Sequence, residues 1–271
     1  MDIRSIGFIG AGNMTRSIIG GLVNGNYPND KIFASNPSQP KLDALVSDFG
    51  INVTNDNLEL VKQVDVIVLA VKPQLMQQMC EKLQGVDLSN KLFITIAAGI
   101  KAERYHDYLG QSINLVRTMP NTPSLLGKGL TGLYAPQLNE CDRNYCNDLM
   151  AAVGQTVWVE NEFGLDQVIA CAGSSPAYFF LFAEAMIASA KKMGTDEQQA
   201  RTMVASAMAG AAAMLEQNPD ISAAQLRANV TSKGGTTAAA IEQFEQADLR
   251  TIVDDAMTAC VARADAMAKI F

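Results

Sequence analysis

Up to about Val159 the chain alternates short apolar runs with stretches whose apolar residues recur at helical spacing. The first run, Ile6 to Ile9, breaks at a glycine pair, and Ser17, Ile18, Ile19, Leu22 and Val23 follow as one helix face. Further strands are predicted at Lys31–Ser35, Ile51–Val53, Val64–Val71, Leu92–Ala97 and Asn114–Met119, with terminal strands at Leu130–Tyr134 and Thr156–Val159. Helices are predicted between them at Lys41–Phe49, Leu58–Val64, Gln74–Leu83 and Asp142–Val153. Val64–Val71 is almost continuously apolar, which suits a parallel strand covered on both faces. Right-handed crossovers between such strands build an α/β Rossmann domain with a doubly wound, mostly parallel sheet.

After Glu160 the β pattern stops, and helical spacing continues through Leu165–Cys171, Ala177–Met193, Glu197–Glu216, Ala223–Asn229, Thr237–Glu245 and Leu249–Ile270. The expected organisation is a nucleotide-binding domain over 1–160 and an all-α domain over 161–271. Alanine and methionine dominate the second half. The stripe Met203, Ala207, Ala211 and Met214 reads as core or subunit interface rather than a cofactor box. Long helices rich in small apolar residues bury little surface alone, which predicts a homodimer or larger assembly.

The first turn, Gly10-Ala11-Gly12-Asn13-Met14-Thr15, joins a strand to a helix. Gly10 permits the tight turn and Gly12 a close approach to a pyrophosphate, which the free N–H groups and dipole of the new helix would face. A plain strand–turn–helix corner gives the same pattern, and Thr15 stands where a third glycine or alanine is usual. Segments on the same edge of such a sheet line the cofactor groove. These are Ala70-Val71-Lys72-Pro73, Ala97-Ala98-Gly99 and Met119-Pro120-Asn121-Thr122-Pro123. Lys72 reads either as a cofactor contact or as a solvated loop lysine. At the end of the second strand, Ser35-Asn36-Pro37-Ser38 carries no carboxylate to bind a ribose 2′-hydroxyl. Amide and hydroxyl groups there, with Lys41 nearby, favour NADP(H) over NAD(H); a simple Asx turn before Pro40 is the other reading.

In the helical half, Gly173-Ser174-Ser175-Pro176 reads as a helix N-cap. Ser232-Lys233-Gly234-Gly235-Thr236-Thr237 precedes a helix, and its exposed N–H and hydroxyl groups suit a carboxylate; a glycine turn with threonine caps explains it equally.

Composition narrows the chemistry. A formal net charge of −7 with no basic block disfavours nucleic acid and anionic membranes as partners. The N-terminal residues Met1 to Arg4 lead into a strand without a signal-peptide layout, and the apolar helix Ala177–Ala190 carries Glu184 and is too short to span a bilayer. A cytoplasmic location is expected. Cys80, Cys141, Cys146, Cys171 and Cys260 are scattered and His106 is the single histidine, so a metal site is not expected and the thiols read as buried or idle. Neither a Ser-His-Asp set nor a Walker motif is present. Hydride transfer fits this poverty of catalysts, because the cofactor carries the chemistry.

Taken together the chain resembles pyrroline-5-carboxylate reductases. The matching pieces, in the family's order, are Gly7 to Met14, Ala70 to Pro73, Ala97 to Gly99, Met119 to Pro123, Gly173 to Tyr178 and Ser232 to Thr237. The resemblance implies a Rossmann domain followed by a helical dimerisation domain, often assembled into decamers, and reduction of 1-pyrroline-5-carboxylate to L-proline with NAD(P)H. It implies that Ile9, Gly10, Ala11, Gly12, Asn13 and Met14 hold the pyrophosphate, with Asn36 by the adenosine ribose or its phosphate. Asn57, Ala70, Val71, Lys72 and Pro73 would contact the cofactor further along, and Ile96, Ala97 and Ala98 its nicotinamide end. Ser232, Gly234, Gly235, Thr236 and Thr237 would bind the substrate carboxylate, with the Thr237 hydroxyl near the ring nitrogen as the catalytic group. Lys233 stands where the family often has proline. Two alternatives are a β-hydroxyacid dehydrogenase-like oxidoreductase, for which Lys191 and Lys192 come late on their helix, and a non-catalytic NADP-binding sensor.

Overall fold

A computed structural model describes residues 2–270 of the chain. Met1 and Phe271, the outer limits of the two expected domains, lie outside the described residues. In chain order the first elements are β1 (Ile6–Ile9), α1 (Asn13–Asn24), β2 (Ile32–Ser35), α2 (Gln39–Phe49), β3 (Asn52–Thr54), α3 (Asn57–Gln63) and β4 (Val66–Leu69). Then come α4 (Pro73–Glu81), β5 (Leu92–Thr95), α5 (Ala102–Leu109), β6 (Asn114–Met119), β7 (Gly129–Tyr134), α6 (Glu140–Ala151), β8 (Gly154–Trp158) and α7 (Glu162–Val168).

Among the described residues eight strands form one sheet in the order β3-β2-β1-β4-β5-β6-β7-β8. Every pair is parallel except β6 with β7. Period-two alternation sends Phe8, Val66, Val68 and Ile94 into one core, with α1, α2 and α6. Ile9, Ile67, Leu69 and Phe93 go into the other, with α3, α4 and α5. This is why β1, β4 and β5 read as unbroken apolar runs: all their residues are buried. Ile9 pairs with Ser35 and with Leu69, and Leu69 with Thr95, so the carboxyl ends of β1, β2, β4 and β5 share one edge. The strand order reverses between β1 and β4, and a ligand crevice is expected at that point.

α5 has no counterpart among the sequence expectations. Its buried face is Tyr105, Tyr108 and Leu109, an i, i+3, i+4 set on a short polar helix closed by Gly110 in the left-handed region.

The described residues form two compact units. One comprises the residues up to Ser174 together with those from Ala259 onward, and the other is Ser175–Thr258. α7 belongs to the sheet because it seats on a glycine of β7. A Cβ at Gly132 would lie 2.9 Å from Val168 and 3.2 Å from Leu165.

The second unit contains α8 (Ser175–Lys192), α9 (Glu197–Gln217), α10 (Ala223–Asn229), α11 (Thr236–Gln246) and the first half of α12 (Leu249–Ala268). Glu245 accepts from Arg227 at 3.3 Å and from Arg250 at 2.7 Å, tying the last three together on an exposed surface. The Met203, Ala207, Ala211 and Met214 stripe is exposed along its length, as are Phe179, Phe180, Leu181 and Phe182 of α8. Core of this single chain is therefore not the role of the stripe.

Two expectations about α8 are overturned. Gly173-Ser174-Ser175-Pro176 is not an N-cap, because Ser174 keeps right-handed helical backbone angles (φ −94, ψ −25) and joins the π turn at Ile169–Gly173 to α8. Pro176 cannot donate to the Ala172 carbonyl, but the Asn121 amide donates to it instead at 3.0 Å, so the break in the ladder is filled. The apolar helix is also longer than expected. Glu162–Lys192 runs for 31 residues, which by length and composition alone is enough to cross a membrane.

Candidate functional site

The shared edge gathers most of the expected cofactor residues. The N–H of Gly10 donates to the Ser35 carbonyl at 2.8 Å, that of Ala70 to Ile9 at 2.9 Å and that of Ile96 to Leu69 at 3.2 Å. The segments Ile9–Met14, Asn36, Ala70–Pro73 and Ile96–Ala98 thus leave adjacent strand ends. Gly10 has φ +115, and a Cβ there would lie 2.5 Å from the Ala70 carbonyl oxygen. Gly12 is different. Its φ of −88 is ordinary, and among the described residues a Cβ would meet nothing within 4 Å. Nothing in the protein's own packing demands a glycine there, so the open space over it is a cradle that a side chain would fill.

Gly12 is also the N-cap of α1, and among the described residues no side chain caps that helix. Its first N–H groups therefore remain for an outside acceptor. A dinucleotide pyrophosphate fits this arrangement of open glycine, unclaimed donors and helix dipole.

Thr15 has a role that the sequence did not disclose. Its hydroxyl is buried and donates to the Gly10 carbonyl at 2.8 Å, so it fastens the turn to the helix that follows. The Asn36 Oδ1 accepts from the Ala11 N–H at 3.4 Å, while its amide reaches the Ser38 carbonyl at 3.5 Å. Asn36 therefore spans β2 and the first turn, and its Oδ1 does not close an Asx turn. Ser35 drops out of the adenosine group, because it is fully buried and its hydroxyl donates to Asn57 Oδ1 at 2.7 Å. Asn57, half-buried at the start of α3, is held through that bond. Lys72 is exposed as the N-cap of α4 with Pro73 behind it, and Lys41 is exposed on α2.

The loop after β5 hangs from a buried network that the sequence did not reveal. Thr95 Oγ1 and the Tyr105 hydroxyl are 2.6 Å apart, the Ala97 N–H reaches Thr95 Oγ1 at 3.3 Å, and Thr118 donates to the Thr95 carbonyl at 2.9 Å. Burial pushes the Tyr105 phenol well above its usual range, so it stays a neutral hydrogen-bonding group. Beyond the loop, Glu162 accepts from the Ala102 N–H at 2.8 Å and from Arg117 at 2.7 Å. Asp166 sits near this pair, and burial, opposed by the Arg117 charge, raises its carboxyl. Asn121 is buried, accepting from the Leu130 N–H at 2.9 Å besides its bond to Ala172. Apart from the local bonds of Ala97 to Thr95, Thr95 to Tyr105 and Leu130 to Asn121, the partners lie 23 to 60 residues apart. The one readable signal was the helical spacing of Tyr105, Tyr108 and Leu109.

In the second unit, Gly234 has φ +71 and the Gly235 N–H donates to the Ser232 carbonyl at 3.0 Å. A Cβ at Gly235 would lie 2.4 Å from Ser232 Oγ, so the serine hydroxyl rests against the turn's backbone. Gly235 is the N-cap of α11, and among the described residues no side chain caps it. Ser232, Gly234, Thr236 and Thr237 are exposed, as is Lys233. The threonine-cap reading therefore fails, and the turn leaves N–H and hydroxyl donors facing outward. Among the described residues no group of three or more His, Cys, Asp or Glu side chains is arranged for a metal. Cys80 and Cys146 are buried and their thiols are pushed up to about 12, whereas Cys141 and Cys171 are exposed.

An open glycine turn at the switch point of a doubly wound sheet defines a dinucleotide-binding protein. In agreement, residues 5–99 match a family model described as NADP oxidoreductase, coenzyme F420-dependent. Residues 162–267 match one described as pyrroline-5-carboxylate reductase dimerisation. The chain is 51% identical, over the full length of both proteins, to the pyrroline-5-carboxylate reductase of Vibrio alginolyticus. Its fold superposes on the Coxiella burnetii pyrroline-5-carboxylate reductase with TM-score 0.92 at 37% identity, covering 98% of this chain and 99% of the other. The Plasmodium falciparum enzyme, solved with NADP bound, gives TM-score 0.88 at 28% identity over 99% of each chain. This chain belongs to the pyrroline-5-carboxylate reductase family.

Proposed function

We propose that the chain reduces 1-pyrroline-5-carboxylate to L-proline, the last step of proline biosynthesis, and that it prefers NADPH to NADH. The observation that carries the reading is the pair of uncapped helix starts, α1 behind Gly12 and α11 behind Gly235, in a member of this family. Bound NADPH supplies the hydride that reduces the C=N carbon. The first turn anchors the pyrophosphate through the N–H groups of Asn13 and Met14, and the 70–73 and 96–98 segments line the path to the nicotinamide. Asn36 and Ser38 offer donors for a 2′-phosphate, and a carboxylate at this strand end would repel one. The Gly234-Gly235 turn, with Ser232 and Thr236, binds the substrate carboxylate, and its contribution is orientation. Thr237 hydrogen-bonds the ring nitrogen and passes it a proton that water replaces; a basic imine asks for nothing stronger.

Exposed Phe179–Phe182 on α8 and Met203 and Met214 on α9 support a homodimer that covers these faces. That is also the role proposed for the apolar helix Glu162–Lys192, in a cytoplasmic enzyme. The β-hydroxyacid reading is disfavoured, since Lys191 and Lys192 lie in the last turn of α8 and Lys191 is paired with Glu197. The test is spectrophotometric oxidation of NADPH and of NADH with pyrroline-5-carboxylate, with hydroxyacids and with no substrate. Turnover only with hydroxyacids, or none at all, overturns the reading. Thr237→Ala should lower kcat/KM while NADPH binding stays intact; unchanged turnover removes Thr237 from the mechanism.

A further inference from the structure

Up to Ala259 almost every residue of α12 is exposed, and from Cys260 the helix begins to bury a face. Cys260, Ala264 and Met267 recur at i, i+4 and i+7, the spacing of one helical stripe. Ala264 is only 6% exposed, and the Cys260 thiol lies 3.4 Å from the Ser174 hydroxyl. These last turns belong to the same compact unit as the nucleotide-binding sheet.

The stripe reaches the turn that follows Ile96, Ala97 and Ala98. Gly99 is buried with φ +74, and a Cβ there would lie 3.0 Å from Met267 Cβ and 3.4 Å from its Cε. Two anchor points flank this turn, the Ala97 N–H on Thr95 Oγ1 and the Ala102 N–H on Glu162. Between them the backbone rests on Met267. Asp265, two residues earlier on α12, is paired with Lys269 just past the end of the same helix at 2.7 Å, so packing and not charge seats the helix end on the loop. Ile96 and Ala98 remain half-exposed on the loop, available to a ligand.

We propose that the last turns of α12 buttress the loop that receives the nicotinamide, with Met267 as the positioning residue. The proposal rests on the assignment of Ile96–Ala98 to the nicotinamide end of the cofactor. Met267 touches the turn from beneath and works only through Gly99. Removing it leaves the pyrophosphate seat at Gly10–Gly12 untouched and frees the loop to shift, and a displacement of about 1 Å near reacting atoms costs up to about a hundredfold in rate. The rate of hydride transfer therefore suffers more than cofactor affinity.

The test compares Met267→Ala, Met267→Leu and Ala98→Val in the full-length protein. Hydrogen exchange of the amides at 96–100 is followed without nucleotide, NADPH affinity by fluorescence titration, and kcat at saturating substrates. Met267→Ala should speed exchange in that window and lower kcat by about tenfold, with the NADPH Kd within about threefold of the parent. Met267→Leu, which restores the bulk, should recover both. If Met267→Ala does not fold, Met267→Val, which keeps the Cβ contact and lacks the Cε reach, should show the same split. Normal exchange and normal kcat after loss of the thioether overturn the buttress. So does a kcat defect that Met267→Leu does not relieve. If the buttress fails while Ala98→Val impairs kcat, the assignment of the loop stands alone. If Ala98→Val is also normal, that assignment falls with it.

Discussion

Replacing Gly12 by alanine separates what the fold needs at the first turn from what a ligand needs. Gly12 is extended, with φ −88 and ψ −179, and its missing Cβ would meet no described atom within 4 Å. Alanine narrows the unfolded ensemble, which stabilises by about 0.4–1 kcal/mol where the conformation permits. It is also a poorer N-cap than glycine, which costs about 0.5–1 kcal/mol. The two nearly offset, so Gly12→Ala should unfold in urea within about 1 kcal/mol of the parent. Binding is another matter. The methyl occupies the space the pyrophosphate needs, and each charge-assisted hydrogen bond lost at the helix start costs about 1.5–3 kcal/mol. Two such losses weaken NADPH binding by about a hundredfold or more. Gly10→Ala should behave in the opposite sense. At φ +115 the strain is about 1–3 kcal/mol. The clash 2.5 Å from the Ala70 carbonyl oxygen adds about 1–3 kcal/mol, because backbone at the end of β4 yields poorly. Against a total stability of about 5–15 kcal/mol, that is a large fraction, so the urea midpoint should fall clearly below the parent's. Urea midpoints and NADPH fluorescence titrations on the two variants check the argument. A Gly12→Ala protein that binds NADPH like the parent refutes the placement of the pyrophosphate, and a Gly10→Ala protein as stable as the parent refutes the geometric account.

Thr15→Val keeps the shape and removes the buried donor to the Gly10 carbonyl, so it should cost about 1–3 kcal/mol in urea unfolding while Thr15→Ser costs less. Equal losses in the two variants would assign the effect to packing. Asn36→Asp places a carboxylate beside the proposed 2′-phosphate and should shift the kcat/KM ratio from NADPH towards NADH by about tenfold or more, some 1.4 kcal/mol. A ratio that stays put argues against that location. The Asp65 carboxyl is held below its usual range chiefly by the Ser5 hydroxyl, at 2.5 Å, with the Ser5 N–H in support. A depressed carboxylate stabilises the fold above its unfolded pKa of 3.8, and the effect is lost as pH falls through the lower folded value. Asp65→Asn should accordingly lower the urea midpoint at pH 7 and flatten its fall on acidification; an unchanged acid limb would count against this bond.

The architecture was legible because its determinants are local. Strand runs such as Val66–Leu69 record burial on both faces, and Gly10 records a backbone conformation that other residues rarely adopt. The order of motifs from Gly7 to Thr237 was sufficient to point to the family. The missed features join residues that stand far apart in the chain. Ser35 looked free for a ribose until Asn57 took its hydroxyl, 22 residues on. Pro176 looked like the start of a helix, until Asn121 filled the hydrogen bond that a proline leaves open in a longer one. Glu162 is bonded to Ala102, 60 residues earlier, and Met267 meets Gly99 across most of the chain. Hydrophobic period and turn chemistry act within a few residues, so the sequence alone determined most of the elements, though not α5 or the true start of the α8 helix, and the positions of both glycine turns. Which hydroxyl is consumed, which carbonyl is rescued and which helix end supports which loop were decided only when packing brought remote segments within hydrogen-bond or van der Waals reach. The side chains that compete for each partner are then a property of the tertiary structure and not of any stretch of sequence.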